Sequence, residues 1–252
     1  MASKIALVTG ASRGLGKDSA LELAKKGFDV IITYQTKKES ADEVVKEIEN
    51  IGQKAFALSL DISTTSGFDQ FSTEVKNFLD THFASAKLDA LVNNAGIGIT
   101  ESFETTTEET LDAMTNIHFK GPYFLTQKLL PLLNDGSSIV NTSSGLARFS
   151  FAGYSAYGAM KAAIDSLSRY QALELGSRKI RVNSIAPGAI ETDFGGGAVR
   201  DTSDLNQYLA SETALGRVGL PDDIGSVVAF LCSDDSKWIN GQRVEVSGGF
   251  KL

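Results

Sequence analysis

Short apolar runs alternate with longer amphipathic segments along the whole chain. Seven of the short runs are almost continuously apolar and rich in β-branched residues, which predicts strands. They are Ile5–Thr9, Val30–Tyr34, Ala55–Leu60, Leu88–Asn93, Ser138–Thr142, Ile180–Ile185 and Arg243–Val246. Strands with so few polar positions are typical of a parallel sheet that helices cover on both faces.

The longer segments between these runs predict helices. Apolar residues from Ala41 to Ile51 recur at steps of three and four, which places one apolar stripe on a surface helix. Similar stripes predict helices at Leu15–Lys26, Thr64–His82, Thr107–Leu132, Ser155–Leu175 and Asp222–Leu231. Alternation of strands and helices indicates βαβ units with right-handed crossovers. We therefore predict an α/β fold, a single Rossmann-type, doubly wound, parallel seven-stranded sheet with helices on both faces.

The pattern predicts one domain, because no Pro-, Gly- or Ser-rich linker divides residues 1–252. Residues 188–215 lack a convincing strand and include Gly195-Gly196-Gly197, so we expect a long loop with a short helix there. Three consecutive glycines allow backbone conformations that other residues rarely adopt. They indicate a mobile substrate lid at about 193–215, with a tight irregular turn as the alternative. Its apolar residues would line the substrate, namely Phe194, Val199, Leu205 and Tyr208.

Composition and charge exclude several classes of protein. The formal net charge is -7 and the sequence pI is about 5.0, without the basic stripe that binding to nucleic acid requires. The longest apolar runs, such as Val227–Cys232, are too short to span a bilayer. The N-terminus carries no signal-peptide pattern, and the single cysteine, Cys232, favours a buried core thiol. We expect a cytoplasmic protein that binds neither nucleic acid nor membrane.

A glycine-rich turn follows the first predicted strand. It reads TGASRGLG, from Thr9 to Gly16, and a helical pattern begins at once. Residues without a Cβ let the backbone approach a pyrophosphate, and the new helix N-terminus offers free N–H groups to that anion. The turn therefore predicts a dinucleotide site. Its candidate cofactor contacts are Gly10, Ser12, Arg13, Gly14, Leu15 and Gly16.

The end of the second predicted strand indicates which dinucleotide is bound. A site for NAD usually has Asp or Glu there, to accept hydrogen bonds from the adenosine ribose. Here the strand ends at Tyr34 and continues through Lys37 and Lys38 without a carboxylate. Arg13 and Lys37 would suit the 2′-phosphate of NADP(H), whereas Lys38 is as well explained as a solvated helix start.

Tyr157 and Lys161 are the strongest candidates for chemistry. On a helix, residues four apart share a face, so the Lys161 ammonium can lie near the Tyr157 hydroxyl. A nearby cation favours the phenolate and, with a positive nicotinamide, would lower the tyrosine pKa from about 10. In a reduction Tyr157 would give its proton to a carbonyl oxygen as hydride reaches the carbon. Ser144, at the end of the fifth predicted strand, could hydrogen-bond the same oxygen, whereas Ser143 should point to the other face.

The G-x-x-x-G-x-G spacing, taken with these residues, resembles the short-chain dehydrogenase/reductase family. The resemblance runs from Thr9 to Gly249 and is nearest to 3-oxoacyl-[acyl-carrier-protein] reductases and related NADP-dependent ketoreductases. It implies a catalytic tetrad of Asn116, Ser144, Tyr157 and Lys161, in which the asparagine holds a water that connects the lysine to solvent. Further cofactor contacts implied by the resemblance are Asp61, Ile62, Asn93, Ala95, Gly96, Tyr157, Lys161, Pro187, Gly188, Ile190 and Thr192. Asn93 could instead tie adjacent strands.

The remaining candidates carry no chemistry of their own in this interpretation. His118 follows Asn116 by two residues, so on a regular helix it should face away from the tetrad. We expect no metal site, because no cluster of Cys and His has ligand spacing. Trp238 and Phe250 indicate core or subunit contacts.

We therefore expect an NADP(H)-dependent oxidoreductase that acts on a small carbonyl compound or secondary alcohol. The alternatives are a 3-oxoacyl-[acyl-carrier-protein] reductase and a non-catalytic dinucleotide sensor. Residues 129–147 contain no Lys or Arg for docking an acidic carrier protein, although Arg178 could add one cation. Apolar residues on several faces of the helices at 107–132 and 155–175 indicate a contact between subunits. The family resemblance implies that these helices pair across a two-fold axis, so we expect a homotetramer, or else a dimer.

Overall fold

The computed structural model describes residues 3–83 and 87–252. A seven-stranded, all-parallel sheet with the order β3-β2-β1-β4-β5-β6-β7 forms its centre. The strands are β1 Lys4–Val8, β2 Phe28–Tyr34, β3 Ala55–Ser59, β4 Leu88–Asn93, β5 Leu133–Thr142, β6 Arg181–Pro187 and β7 Arg243–Val246. The predicted fold class is confirmed. Residues 1–2 and 84–86, which the single-domain prediction includes, lie outside the described residues.

Nine α-helices occur in the described part of the chain. They are α1 Gly14–Lys25, α2 Lys38–Ile51, α3 Phe68–His82, α4 Glu108–Thr115, α5 Gly121–Leu129, α6 Ser155–Glu174, α7 Ala198–Asp201, α8 Ser203–Ser211 and α9 Asp222–Cys232. The single helix predicted at Thr107–Leu132 is instead interrupted, because a π-helical turn at Asn116–Lys120 joins α4 to α5. This turn has consequences for the site.

Two apolar layers cover the two faces of the sheet. Successive residues of β1 alternate between them, since Ala6 and Val8 pack in one cluster and Ile5 and Leu7 in the other. The first layer is completed by α1, α2 and α9, and the second by α3, α5 and the end of α6. Because strand side chains alternate between the faces, a strand buried on both sides is apolar at most of its positions.

The strand order places the carboxyl ends of all seven strands at one edge of the sheet. The chain proceeds from β1 to β2 and β3 in one direction, then returns to β4 on the other side of β1. Crevices at such a reversal are where open α/β sheets bind ligands. We therefore expect the functional site at the carboxyl ends of β1, β4 and β5.

The segment predicted as a lid contains more helix than expected. A short 3₁₀ turn at Phe194–Gly197 leads into α7 and α8. Gly195, Gly196 and Gly197 have φ values of 60°, 75° and 81°, a left-handed conformation that favours glycine. The positive φ values therefore explain why glycine occupies all three positions, independently of any motion of the segment.

Exposure separates the two C-terminal aromatic residues. Phe250 is buried against Phe149 and Phe151, as expected for a core residue. Trp238 is 96% exposed, so it does not belong to the core of this chain. Cys232 is buried, in agreement with its interpretation as a core thiol. Among the described residues, no helix is long and apolar enough to cross a membrane.

Candidate active site

The glycine-rich turn packs too closely for side chains. A Cβ on Gly10 would lie 2.8 Å from the Ala95 Cα atom, and one on Gly16 would lie 2.4 Å from the Gly10 carbonyl oxygen. Helix α1 begins at Gly14, and no side chain caps its first N–H groups. Ser12 is half-buried beside this end, and Leu15 packs on the core. The turn therefore fits a pyrophosphate, because its free donors face the sheet edge.

Two neighbouring asparagines connect this turn to the sheet in different ways. Asn93 is buried and donates to Thr126 Oγ1 at 3.0 Å and to Asn141 Oδ1 at 2.8 Å, which supports the strand-tying role. Asn94 donates to the carbonyl oxygens of Thr9 and Gly10. The sequence reasoning did not assign a role to Asn94. The sequence feature that could have revealed this role is its position directly after Asn93. Side chains alternate at the end of a strand, so Asn94 should point to the opposite side from Asn93.

The predicted 2′-phosphate residues lie at the exposed end of β2 and in the turn. Tyr34 ends β2 half-buried, and Lys37 is exposed immediately before α2. Lys38 pairs with Asp42 at 2.7 Å, in agreement with its interpretation as a solvated helix start. Arg13 is exposed and lies 3.5 Å from Asp193, so a carboxylate distant in sequence faces this cation. Sequence reasoning searched only the end of β2 and missed Asp193.

Asp61 and Ile62 follow β3 at the same edge. The Asp61 carboxylate accepts hydrogen bonds from Ser63 and Thr64. Burial raises the pKa of Asp61, but these hydrogen bonds outweigh it and hold the pKa below its usual value. A Cβ on Gly121 would lie 2.6 Å from the Ile62 carbonyl oxygen, so the start of α5 presses against this turn.

The turn after β6 approaches the glycine-rich turn from the other side of the crevice. Pro187 ends β6, Gly188 lies against Ser247, and Ile190 pairs with Gly219 in a short parallel bridge. The Thr192 side chain is the nearest group to a Cβ built on Gly14, at 3.7 Å. Ala95 and Gly96 continue from the end of β4. Thr192 and Ala95 therefore both approach the glycine-rich turn, one from the turn after β6 and the other from the end of β4.

Ser144 and Ser143 point to opposite sides after β5, as predicted. The Ser144 hydroxyl accepts from the Leu146 N–H at 3.2 Å, whereas the Ser143 hydroxyl donates to the Lys161 carbonyl. The Ser144 carbonyl accepts from Arg243 Nη2 at 3.0 Å, and Arg243 Nε lies 3.0 Å from Asp165. The backbone of Ser144 is thus held by an ion pair that joins β7 to α6.

Tyr157 and Lys161 share the buried face of α6, with 8% and 4% of their surfaces exposed. The Lys161 ammonium donates to the Thr142 carbonyl at 2.7 Å and lies 5.4 Å from the centre of the Tyr157 ring. Burial lowers the pKa of Lys161 to about 7, although Asp165 raises it.

The acidity of Tyr157 differs from the expectation. Burial raises the pKa of Tyr157 above its usual value of 10.0, and Ser144 opposes this shift. Within the chain itself, the desolvation of the phenolate outweighs the favourable interactions that we expected to lower the pKa. The neighbouring groups therefore hold Tyr157 in its protonated form, which is the form a proton donor needs.

His118 contacts the Tyr157 ring in this structure. The His118 ring is 1% exposed and meets the Tyr157 ring edge to face, with centres 5.1 Å apart. Asn116 is only half-buried and begins the π-helical turn. The expectation that His118 faces away is wrong, because it assumed a regular helix. A π turn has more residues per turn than an α-helix and so changes which side chains point inward.

Phe194, near the start of the predicted lid segment, also reaches Tyr157. The Phe194 ring lies 5.7 Å from the Tyr157 ring, and a Cβ on Gly98 would lie 2.7 Å from Phe194 Cε1. Val199 and Leu205 pack against a small cluster around Phe250, and Tyr208 is 48% exposed. Of the four predicted wall residues, Phe194 is therefore the one shown in contact with the candidate catalytic group.

Comparisons with known proteins agree on the kind of protein. The family described as Enoyl-(Acyl carrier protein) reductase matches residues 10–251. The chain is 38% identical to the hydroxynaphthalene reductase-like protein Arp2 of Metarhizium brunneum, over 99% of this chain and 95% of that protein.

Solved structures agree over the full length as well. The promiscuous reductase LugOII, which catalyses keto-reduction at C1 during lugdunomycin biosynthesis, is 35% identical with a TM-score of 0.93. The comparison covers 99% of this chain and 98% of LugOII. The landomycin C-6 ketoreductase LanV with bound NADP and rabelomycin is 36% identical, with a TM-score of 0.90. Here the comparison covers 99% of this chain and 96% of LanV.

The burial of Lys161 predicts a pH dependence of stability. Between about pH 7 and pH 10 the unfolded chain keeps a proton on this amine that the folded chain has released. The unfolded state then binds more protons, so the free energy of unfolding rises with pH in this window. Lys161→Met should remove this contribution. In urea unfolding, the wild-type value minus the variant value should grow with pH across the window, and a constant difference would contradict the burial argument.

Proposed function

The chain belongs to the short-chain dehydrogenase/reductase family, and from that premise we propose that it is an NADPH-dependent ketoreductase of aromatic ketones. One observation carries the proposal: a buried Tyr157 on α6, faced by Ser144 from the end of β5 and by Lys161 one helical turn along. A buried, protonated phenol beside a buried lysine is suited to donate a proton and then recover it.

The crevice fits the cofactor that the proposal requires. The glycine-rich turn, the open N-terminus of α1 and the exposed Arg13 would hold the pyrophosphate and the 2′-phosphate. LanV, at 36% identity, is solved with NADP bound. When bound, NADPH supplies the hydride that the chain's own side chains cannot provide.

The residues of the chain perform the proton chemistry. Ser144 and Tyr157 hydrogen-bond the substrate carbonyl oxygen and orient its carbon toward the cofactor side of the crevice. Tyr157 releases its proton as negative charge develops on that oxygen, so charge does not accumulate there. Lys161, fixed by its hydrogen bond to the Thr142 carbonyl, places a cation within 5.4 Å of the ring centre and stabilises the resulting phenolate.

Aromatic ketones are the substrate class with the most support. Phe194 adds an aromatic ring next to Tyr157, and Gly98 packs closely against that ring. A flat apolar wall suits a flat substrate, because aromatic rings stack with offset or edge contacts. Two relatives support the same class, since Arp2 is a hydroxynaphthalene reductase-like protein and LanV is an angucycline C-6 ketoreductase.

An acyl-carrier-protein substrate has weaker support on this surface. Arg178, the cation that the sequence suggested for docking, pairs with Asp135 and donates to the carbonyl oxygens of Leu130 and Leu133. Arg148, beside Ser144, is paired with Glu245. Cations that are already neutralised contribute little to attracting an acidic partner.

The proposed function is tested by removing the tyrosine hydroxyl. With 1-tetralone as a bicyclic aromatic ketone, the wild type should oxidise NADPH, and faster than with a 3-oxoacyl thioester. Tyr157→Phe should lower kcat about 100-fold or more, since the ring stays but the proton donor is lost. Tyr170→Phe, on the exposed side of the same helix at 62% exposure, is the matched control and should retain activity. A Tyr157→Phe enzyme with half the wild-type kcat would contradict the assignment.

Cofactor choice should depend on Arg13. A charge-assisted contact to the 2′-phosphate is worth about 1.5–3 kcal/mol, so NADPH should be preferred over NADH by about tenfold or more in kcat/KM. Arg13→Ala should lower kcat/KM for NADPH and change that for NADH little. Lys38→Ala, which removes a lysine already paired with Asp42, serves as control. Equal kcat/KM for the two cofactors in the wild type would rule out this assignment.

We also propose that residues 193–215 close over the substrate. Phe194 lies near the start of this segment and contacts Tyr157, and three glycines with left-handed backbone conformation follow it. In amide hydrogen exchange, this segment should gain protection when NADP⁺ is added, because closure excludes water from the site. Exchange that is the same with and without NADP⁺ would assign the glycines to turn geometry alone.

A further inference from the structure

His118 presents a buried acceptor at the proposed active site. Its Nε2 atom lies 2.8 Å from the Ile97 carbonyl oxygen. A carbonyl oxygen can only accept, so Nε2 carries the hydrogen and Nδ1 keeps its lone pair. Nδ1 is buried and has no hydrogen-bond partner among the residues that the structure describes. Buried polar atoms of this kind are rare, and one beside a catalytic group indicates a functional partner.

The surroundings keep this imidazole neutral. Burial lowers the pKa of His118 well below 6.5, and the Lys161 ammonium lowers it further. A charged His118 would add a second cation next to Lys161 in a desolvated place. The neutral ring is therefore the form that coexists with a charged Lys161, and it leaves Nδ1 free to accept a hydrogen bond.

The backbone around His118 is shaped to admit it. A Cβ on Gly96 would lie 2.8 Å from His118 Cε1, so a larger residue at this position would displace the ring. The π-helical turn at Asn116–Lys120 directs His118 toward Tyr157. π turns inside helices are rare and are frequent at functional sites. The small residue at Gly96 and the π-helical turn thus each contribute to placing the His118 ring beside Tyr157.

We propose that His118 is the positioning residue of the proton-transfer group: its ring edge fixes Tyr157, and its Nδ1 holds the water that resupplies Lys161. This inference rests on the proposed ketoreductase function and gives to His118 the role that the family resemblance gave to Asn116. After Tyr157 has given its proton to the ketone oxygen, the phenolate takes a proton from the Lys161 ammonium. The amine then regains one from the water at Nδ1, which is itself reprotonated from bulk solvent, so the net proton comes from solvent.

Three substitutions separate the two parts of the role. His118→Phe keeps a ring against Tyr157 but removes both nitrogens, so kcat should fall about tenfold while KM for NADPH stays within about twofold. The solvent deuterium isotope effect on kcat should rise, because proton resupply becomes slower. His118→Asn restores an acceptor and should recover part of kcat and the smaller isotope effect. Asn116→Ala should cost less than His118→Phe.

The second histidine of the chain gives a matched control. His82 stacks on Phe78 at 4.2 Å on α3, so His82→Phe repeats the same chemical change in another aromatic contact. It should leave kcat and the isotope effect at their wild-type values. The inference is overturned if His118→Phe also keeps both values, or if Asn116→Ala lowers kcat more than His118→Phe does. If His118→Phe does not fold, His118→Asn takes its place. The inference is then overturned if His118→Asn keeps the wild-type kcat and isotope effect, or if Asn116→Ala lowers kcat more than His118→Asn does.

A spectroscopic measurement tests His118 without any turnover. The chain has two histidines, so ¹⁵N-histidine labelling gives two ring spin systems, and the His82→Phe protein assigns them. At about pH 6, where an ordinary histidine is largely protonated, His118 should remain neutral with its hydrogen on Nε2. Its Nδ1 signal should lie upfield of a free acceptor nitrogen. A protonated ring, the other tautomer or a free Nδ1 would each refute the proposal, whereas a wild type inactive toward ketones would refute only the proposed function.

Discussion

The hydrogen bond from the Lys161 ammonium to the Thr142 carbonyl, 2.7 Å long, is the interaction on which the site depends. It joins α6, which carries Tyr157, to the end of β5, which carries Ser144. An ammonium that is only 4% exposed would be costly without a partner, and the Thr142 carbonyl at the end of β5 supplies that partner. The same burial lowers the pKa of Lys161 to about 7. The burial of Lys161 between α6 and the end of β5 therefore accounts both for its fixed position and for its lowered pKa.

A second ionic contact holds the serine side of the site. Arg243 of β7 lies 3.0 Å from Asp165 of α6 and donates to the Ser144 carbonyl. Asp165 also raises the pKa of Lys161 and accepts from Ser184, so one carboxylate connects α6, β6 and β7. Helix α6 is thus fixed to β5, β6 and β7 by polar contacts that are largely withdrawn from solvent. Such contacts cost free energy to desolvate, but they fix geometry, because each works at one distance and angle.

Sequence reasoning succeeded where regular periodicity determines the structure. The seven apolar runs correspond to the seven strands of the described residues. The four-residue step from Tyr157 to Lys161 correctly placed both on one helix face. It failed at His118, because the π turn breaks the periodicity from which facing was deduced. It also missed Asp193, which reaches Arg13 across 180 positions of sequence. Apolar patterns encode which face is buried, but they do not encode an irregular turn or a polar contact between distant loops.

The Arg13–Asp193 contact shows how the cofactor end and the substrate end of the crevice are connected. Asp193 lies 3.5 Å from Arg13 and 2.6 Å from Arg200 of α7. Phe194 follows Asp193 in the sequence. All three charged side chains are at least 45% exposed, so water and salt screen their attraction and the network is weak. A weak contact suits this position. A phosphate can replace Asp193 as the partner of Arg13 at little cost, and Asp193 keeps Arg200 as its partner. The start of the 193–215 segment is thereby in electrostatic contact with Arg13, the residue proposed to bind the 2′-phosphate. The adjacent Phe194 contacts Tyr157, the proposed proton donor.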